Sequence, residues 1–119
     1  MADSILLVED DRPSRRNLAA FLRLTGYEVY EAEDGEIALS LLTSTHFDVV
    51  ISDLNLPGEI NGIDILDRLK RIPRNVGAIL ITGAGSEDVR RRAKSLGADY
   101  MEKPIQLDAL NKTIQQRTR

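Results

Sequence analysis

The sequence predicts an α/β domain in which five parallel strands, in the order 2-1-3-4-5, carry helices on both faces. Three observations predict it. Short aliphatic runs alternate five times with amphipathic segments, and strict alternation of this kind implies a parallel sheet covered on both sides. Runs one, three and four are nearly pure aliphatic, whereas runs two and five carry Glu28, Glu31, Asp99 and Glu102. Central strands are buried on both faces and edge strands are not, so the two polar runs belong at the edges. Finally, the reactive side chains follow the strands at the same end, where open parallel sheets bind their ligands. The order is the flavodoxin-like one.

Ile5-Leu6-Leu7-Val8 reads as the first strand, an unbroken run suited to burial on both faces. Pro13, at a first-turn position, opens a helix with Leu18, Phe21 and Leu22 at helical spacing, and Gly26 stops it. Tyr27 to Ala32 is the second strand. Asp34 caps a helix carrying Ile37, Ala38, Leu41 and Leu42 on one face. Phe47 to Ser52 is the third strand, and Leu54 to Gly62, rich in Asn, Pro and Gly, is a loop. Ile63, Leu66 and Leu69 mark a third helix ended by Pro73, before a fourth strand at Ala78-Ile79-Leu80-Ile81. Ser86 begins a helix with a thin stripe of Val89, Ala93 and Leu96, and Gly97 stops it. Tyr100-Met101 lies in a short fifth strand, and Leu107, Leu110 and Ile114 mark the closing helix.

At 119 residues the chain has the length of one domain, read as 1–119, and buries roughly two-thirds of its unfolded surface. It has no cysteine and one histidine, His46. Disulfides, thiolate metal sites and multi-histidine metal sites are therefore excluded, and the composition fits a reducing compartment. A net charge of −3 argues against whole-domain attraction to nucleic acid. No apolar run approaches the ~18 residues of a membrane span. Met1-Ala2-Asp3-Ser4 has no basic segment leading into an apolar stretch, so no secretion signal is read. The expectation is one cytoplasmic domain.

Glu9-Asp10-Asp11 follow strand one, Asp53 ends strand three, Thr82 ends strand four and Lys103 ends strand five. Glu9, Asp10 and Asp53 would thus converge with a hydroxyl and an ammonium in one crevice, while Asp11 reads as a loop or helix-start residue. Carboxylates brought together repel unless something neutralises them. With no His or Cys cluster, the remaining oxygen donors suit Mg²⁺, or Mn²⁺. A metal held by Asp10 leaves Asp53 as a candidate nucleophile, since carboxylates form acyl phosphates. Phosphoryl transfer needs positioning and charge neutralisation above all; Thr82 can donate to one phosphoryl oxygen and Lys103 can pair with another. Taken singly, each residue has a plainer reading: a solvated acidic loop, a strand-end Asp, a capping Thr. Their coincidence at the ends of four strands carries the chemical reading.

These residues lie in four segments: Ile5-Leu6-Leu7-Val8-Glu9-Asp10-Asp11, Asp48 to Gly58, Ile81-Thr82-Gly83-Ala84, and Gly97 to Pro104. In order and spacing they resemble the signature blocks of bacterial two-component receiver domains, over essentially the whole chain. The resemblance implies that Asp53 receives a phosphoryl group from a phosphohistidine of a sensor histidine kinase or a histidine phosphotransfer protein. It implies that Asp10 binds Mg²⁺ directly, with Asp53, that Glu9 helps through water, and that the Asn55 backbone carbonyl completes the protein ligands. Thr82 and Lys103 would contact the phosphoryl oxygens. Tyr100 matches the switch aromatic, which turns inward as the threonine moves, and Lys103-Pro104 matches a cis peptide. The output would be a changed surface of helix four, strand five and helix five, offered to an unidentified downstream protein by a monomer or a phosphorylation-dependent dimer. Nucleic acid and membrane are not expected partners. Enzymatic activity would amount at most to slow Mg²⁺-dependent self-phosphorylation and autodephosphorylation.

One departure stands out. Pro57-Gly58-Glu59-Ile60-Asn61-Gly62 is one residue longer than the usual loop, with Asn in place of an acid, which could bring Glu59 near the metal. Arg90-Arg91-Arg92 and Lys94 read first as a solvated helix face and second as a partner surface. Arg15 and Arg16 could meet an acidic partner or merely aid solubility, Asp64 and Asp67 read as helix-surface groups, and His46 has no companion ligands. Two other functions compete. A haloacid-dehalogenase-type phosphatase would also use an aspartyl phosphate, but looks for a second Asp where Asn55 stands. A pseudo-receiver scaffold is opposed by the full set Glu9, Asp10, Asp53, Thr82 and Lys103.

Overall fold

The computed structural model describes residues 3–118; of the start read for a secretion signal, Met1 and Ala2 lie outside the described residues. Strand and helix alternate throughout: β1 (Ser4–Val8), α1 (Arg12–Leu24), β2 (Glu28–Ala32), α2 (Gly35–Ser44), β3 (Val49–Asp53), then α3 (Gly62–Lys70), β4 (Gly77–Thr82), α4 (Glu87–Ser95), β5 (Asp99–Glu102) and α5 (Leu107–Arg117). All strand pairs are parallel, and the sheet order is β2-β1-β3-β4-β5. The polar runs are therefore the edges: β3 and β4 are buried throughout, while β2 and β5 expose Glu28, Tyr30 and Glu102.

The pleat divides the core in two. Leu6, Val8, Val50, Ala78 and Leu80 face α2, α3 and α4, where Ala38, Ile65, Leu66, Leu69 and Ala93 close over them. Ile5, Leu7, Val49, Ile51, Ile79 and Ile81 face α1 and α5, meeting Ala19, Leu22, Leu110 and Ile114. Side chains at i and i+2 share a face, so each aliphatic strand supplies both halves. The contribution of α4 is the smallest among the helices of its face: only Ala93 is buried, with Val89 and Leu96 packed partly against the core.

Helix starts follow the capping rule, in which a side-chain oxygen accepts from an otherwise unpaired N–H. Asp11 accepts from Ser14 N–H at 3.0 Å, Asp34 from Ile37 N–H at 2.8 Å and Ser86 from Val89 N–H at 3.2 Å. Several expectations need correction. Tyr27 precedes β2, and its hydroxyl lies 3.3 Å from Asn111 Oδ1. Phe47 precedes β3 yet is fully buried, touching Tyr30 edge-on. Ile37 and Leu107 are exposed; Ile37 lies off the face of α2 that buries Gly35 and Ala38, and Leu107 lies in the first turn of α5, ahead of the buried Leu110 and Ile114.

The lengthened loop is held at its far end. Asn61 accepts from Asp64 N–H at 3.0 Å, and Asp64 accepts from Asn61 N–H at 2.9 Å, a reciprocal capping box. Asp64 is thus a cap rather than a plain surface group. Gly62 then passes so close beneath β3 that a Cβ there would lie 2.3 Å from the Asp53 carbonyl oxygen. Only glycine fits that approach, which seats the start of α3 directly against the end of β3.

Candidate functional site

Register brings the functional side chains to one edge of the sheet. Val8 lies beside Ser52, Asp53 beside Ile81, and Thr82 beside Glu102. Beyond the last pairs, Leu54 N–H donates to the Ile81 carbonyl at 3.0 Å and Lys103 N–H donates to the Thr82 carbonyl at 2.9 Å. These bonds extend the ladder one step past each strand and hold the side chains that follow. The Lys103–Pro104 peptide bond is cis, the isomer that the resemblance implies.

Glu9, Asp10 and Asp53 each offer a carboxylate oxygen within 4.8 Å of the others. Glu9 and Asp53 are buried and Asp10 is exposed. The Lys103 ammonium donates to Glu9 Oε1 at 2.8 Å and to Asp53 Oδ2 at 2.9 Å, so one cation offsets two nearly dry anions. Glu9 Oε2 is buried with no hydrogen-bond partner. A buried, unpartnered carboxylate oxygen is costly, and this one lies among oxygens spaced for a hard divalent cation. The donor set fits such an ion. Thr82 is fully buried at the end of β4, its hydroxyl oxygen accepting from Ala84 N–H at 3.1 Å. Asn55 is exposed, two residues beyond Asp53. Tyr100 is half-buried on β5, its hydroxyl 3.3 Å from Glu102 Oε2.

Electrostatics follow from this crowding. Burial, then the nearby Asp53 carboxylate, pushes Glu9 up to about 7 despite Lys103. Desolvation pulls Lys103 down, but its bonds to Glu9 and Asp53 outweigh that and leave it raised. A raised carboxylate pKa means the folded chain keeps a proton that the unfolded chain has released. Between 4.5 and about 7, stability therefore falls as pH rises. The depressed carboxyls of Asp11 and Glu87 act in the opposite sense, below their ordinary values of 3.8 and 4.5. The unfolding free energy of the metal-free domain, from urea titrations, is expected to fall between pH 5 and pH 8, by at most about 3 kcal/mol. Glu9→Gln should remove that difference; an unchanged slope in the variant would place its origin elsewhere.

Arg15 is the contributor that the sequence reading missed. Its guanidinium donates to the Glu9 carbonyl at 2.9 Å and to Glu31 Oε1 at 3.1 Å, and Arg23 holds the other Glu31 oxygen at 3.1 Å. At 11% side-chain exposure, Arg15 is a tether between β2 and the acidic turn, not a free surface charge. Its partner Glu31 lies on β2, beyond any helical repeat, so periodicity carried no signal for it. The Asn61–Asp64 capping box was missed as well, since Asp64 was read as a helix-surface group, although its Asn-x-x-Asp spacing is a local signal. Glu59 is exposed and is not one of the three clustered carboxylates. Arg90 and Arg91 pair with Glu87 and Asp88 one turn earlier, as a solvated face does. His46 is exposed, contacting Arg74 and lying 3.8 Å from Asp48.

Among the described residues no helix is long and apolar enough to cross a membrane. The profile of the response regulator receiver domain matches residues 5–115. Sporulation initiation phosphotransferase F of Bacillus subtilis is 33% identical over 115 residues, 96% of this chain and 92% of that protein. The sensor histidine kinase RcsC of Escherichia coli is 33% identical over 114 residues, which span 94% of this chain but 12% of the kinase. Among solved structures, a response regulator receiver domain protein from Clostridium thermocellum superposes with a TM-score of 0.90 at 30% identity, covering 98% of this chain and 94% of that one. The profile spans every strand from β1 to β5 and so takes in each strand end that bears a site residue. Sequence, topology and site thus converge, and the chain belongs to the response regulator receiver domain family of two-component systems.

Proposed function

We propose that Asp53 is the phosphoacceptor of this receiver domain, 1–119, and that Mg²⁺ is its metal, with Mn²⁺ able to replace it. One observation supports this above the rest: Lys103 bridges Asp53 and Glu9 while Glu9 Oε2 stays buried without a partner. An Asp53 oxygen attacks the phosphorus of a phosphohistidine, an O–P bond forms, the N–P bond breaks, and its electron pair returns to the imidazole nitrogen. Asp10, Asp53, the Asn55 carbonyl and, through water, Glu9 would hold Mg²⁺, which would supply charge neutralisation at the phosphoryl oxygens when bound. Lys103 exchanges its Asp53 contact for one phosphoryl oxygen. Thr82 turns its hydroxyl from Ala84 N–H toward another.

The added charge, roughly −1.5 to −2, then favours a second packing in which Tyr100 and α4 shift and the α4–β5–α5 surface changes its preference for a protein target. A sensor histidine kinase or a histidine phosphotransfer protein is the donor, and the setting is the cytoplasm. The domain acts as a monomer or as a dimer formed on phosphorylation. Its own chemistry goes no further than slow self-phosphorylation and autodephosphorylation. Intact mass spectrometry after incubation with acetyl phosphate tests the proposal. One phosphoryl group per chain is expected with Mg²⁺ and none with a chelator; a native chain that stays unmodified in Mg²⁺ contradicts it.

A further inference from the structure

Gly85 lies between Thr82 and the Ser86 cap of α4, and its backbone gives no reason for a glycine. The glycines with positive φ are Gly26, Gly58 and Gly97; the Gly85 conformation is open to any residue. Space is what requires the missing side chain. A Cβ at position 85 would lie 1.7 Å from the Tyr100 hydroxyl oxygen, 2.9 Å from Tyr100 Cζ and 2.9 Å from Thr82 Cγ2. The tip of the Tyr100 ring therefore occupies the volume that a side chain would take, next to the methyl group of Thr82. Thr82 is fully buried and its backbone is bonded to Lys103, so it cannot yield cheaply. The ring, half-buried on an edge strand, can.

We propose that Gly85 is a positioning residue for Tyr100. The bare backbone there forms a slot that seats the ring against Thr82, and any side chain at 85 drives the ring outward. Residue 85 thereby sets how strongly events at Asp53 reach the α4–β5 surface, a consequence that rests on the phosphoacceptor reading above. Crowding by a single methyl is enough, because overpacking in a filled space displaces the softest neighbour.

Fluorine NMR of the full chain labelled with meta-fluorotyrosine tests this, with Tyr27, Tyr30 and Tyr100 assigned by single Tyr→Phe variants. In Gly85→Ala, without any phosphoryl donor, the Tyr100 resonance is expected to shift toward that of free fluorotyrosine and to gain its full solvent isotope shift. The Tyr27 and Tyr30 resonances should stay. An unmoved Tyr100 resonance overturns the proposal. A second measurement covers a poorly folding variant: Gly85→Ala should lower the urea midpoint in the native background and cost almost nothing beside Tyr100→Ala. Equal losses in both backgrounds would mean that residue 85 acts through its own loop, which also overturns it. Adding beryllofluoride and Mg²⁺ should move Tyr100 in the native chain and move it less in Gly85→Ala; an equal response refutes the coupling. Failure of the native chain to take up phosphate is read separately, by mass, and bears on the phosphoacceptor reading alone.

Discussion

Asp53→Asn is expected to abolish phosphoryl uptake and to leave the metal-free domain as stable at pH 8 as the native chain, or more so. The amide keeps the size of the carboxylate but not its charge, and an amide oxygen is a poor nucleophile. Loss of the attacking group should lower the rate by at least about three orders of magnitude, to the background of any adventitious site. Stability moves the other way because Asp53 is one of two carboxylates served by a single ammonium. With Asp53 neutral, Lys103 pairs with Glu9 alone, and Glu9 loses a neighbour that raises its pKa. Such an opposition of activity and stability is expected where like charges are held together for chemistry. Intact mass and urea midpoints, read on one preparation, check both halves. Uptake at the native rate would remove Asp53 from its role.

Lys103→Met carries the second large effect, with different signs in its three readouts. The thioether matches the length of the stem but leaves Glu9 and Asp53, at 4% and 9% side-chain exposure, without a counter-charge. Removing one member of a buried ion pair costs about 3–5 kcal/mol. The Lys103 side chain is 33% exposed, so water softens the loss to about 2–3 kcal/mol at pH 8. Divalent cation affinity should instead rise about fivefold or more, since one unit charge at ~4 Å no longer opposes the ion. Phosphoryl uptake should fall by about 10²–10³, the usual loss when one donor to a developing anion is removed. Calorimetric titration with Mg²⁺ separates this from simple damage, because a misfolded site would bind the ion more weakly. Weaker binding in a folded variant would contradict the competition between ammonium and metal.

Much of the fold was readable because two periodicities and a composition contrast point the same way. Pure aliphatic runs identified β1, β3 and β4 as central, and acidic residues within β2 and β5 marked the edges. Asp34 and Ser86 capped where short polar side chains before apolar stripes are expected to. Glu9, Asp10, Asp53, Thr82 and Lys103 were legible as strand-end residues because a parallel sheet aligns all its carboxyl ends. Interactions that close through space were not. The Arg15–Glu31–Arg23 tether joins α1 to β2, and the Gly85 slot exists only because Tyr100, fifteen residues later, folds back over it. Leu107 misled for a related reason. Periodicity tells which side of a helix faces inward but not whether a neighbour reaches its first turn.

The slight footing of α4 has an implication for how a signal leaves the sheet. This helix rests on one buried methyl, that of Ala93, with Val89 and Leu96 grazing the core. Lifting it forfeits a small apolar area, whereas displacing α3 would uncover Ile65, Leu66 and Leu69 together. Since apolar burial stabilises by about 25 cal/mol per Å², the difference makes α4 easier to unseat than α3. A covalent group added at one strand end would therefore have to re-seat only a single rod, while the α1–α5 half stays shut and Ile65, Leu66 and Leu69 keep their cover over the other.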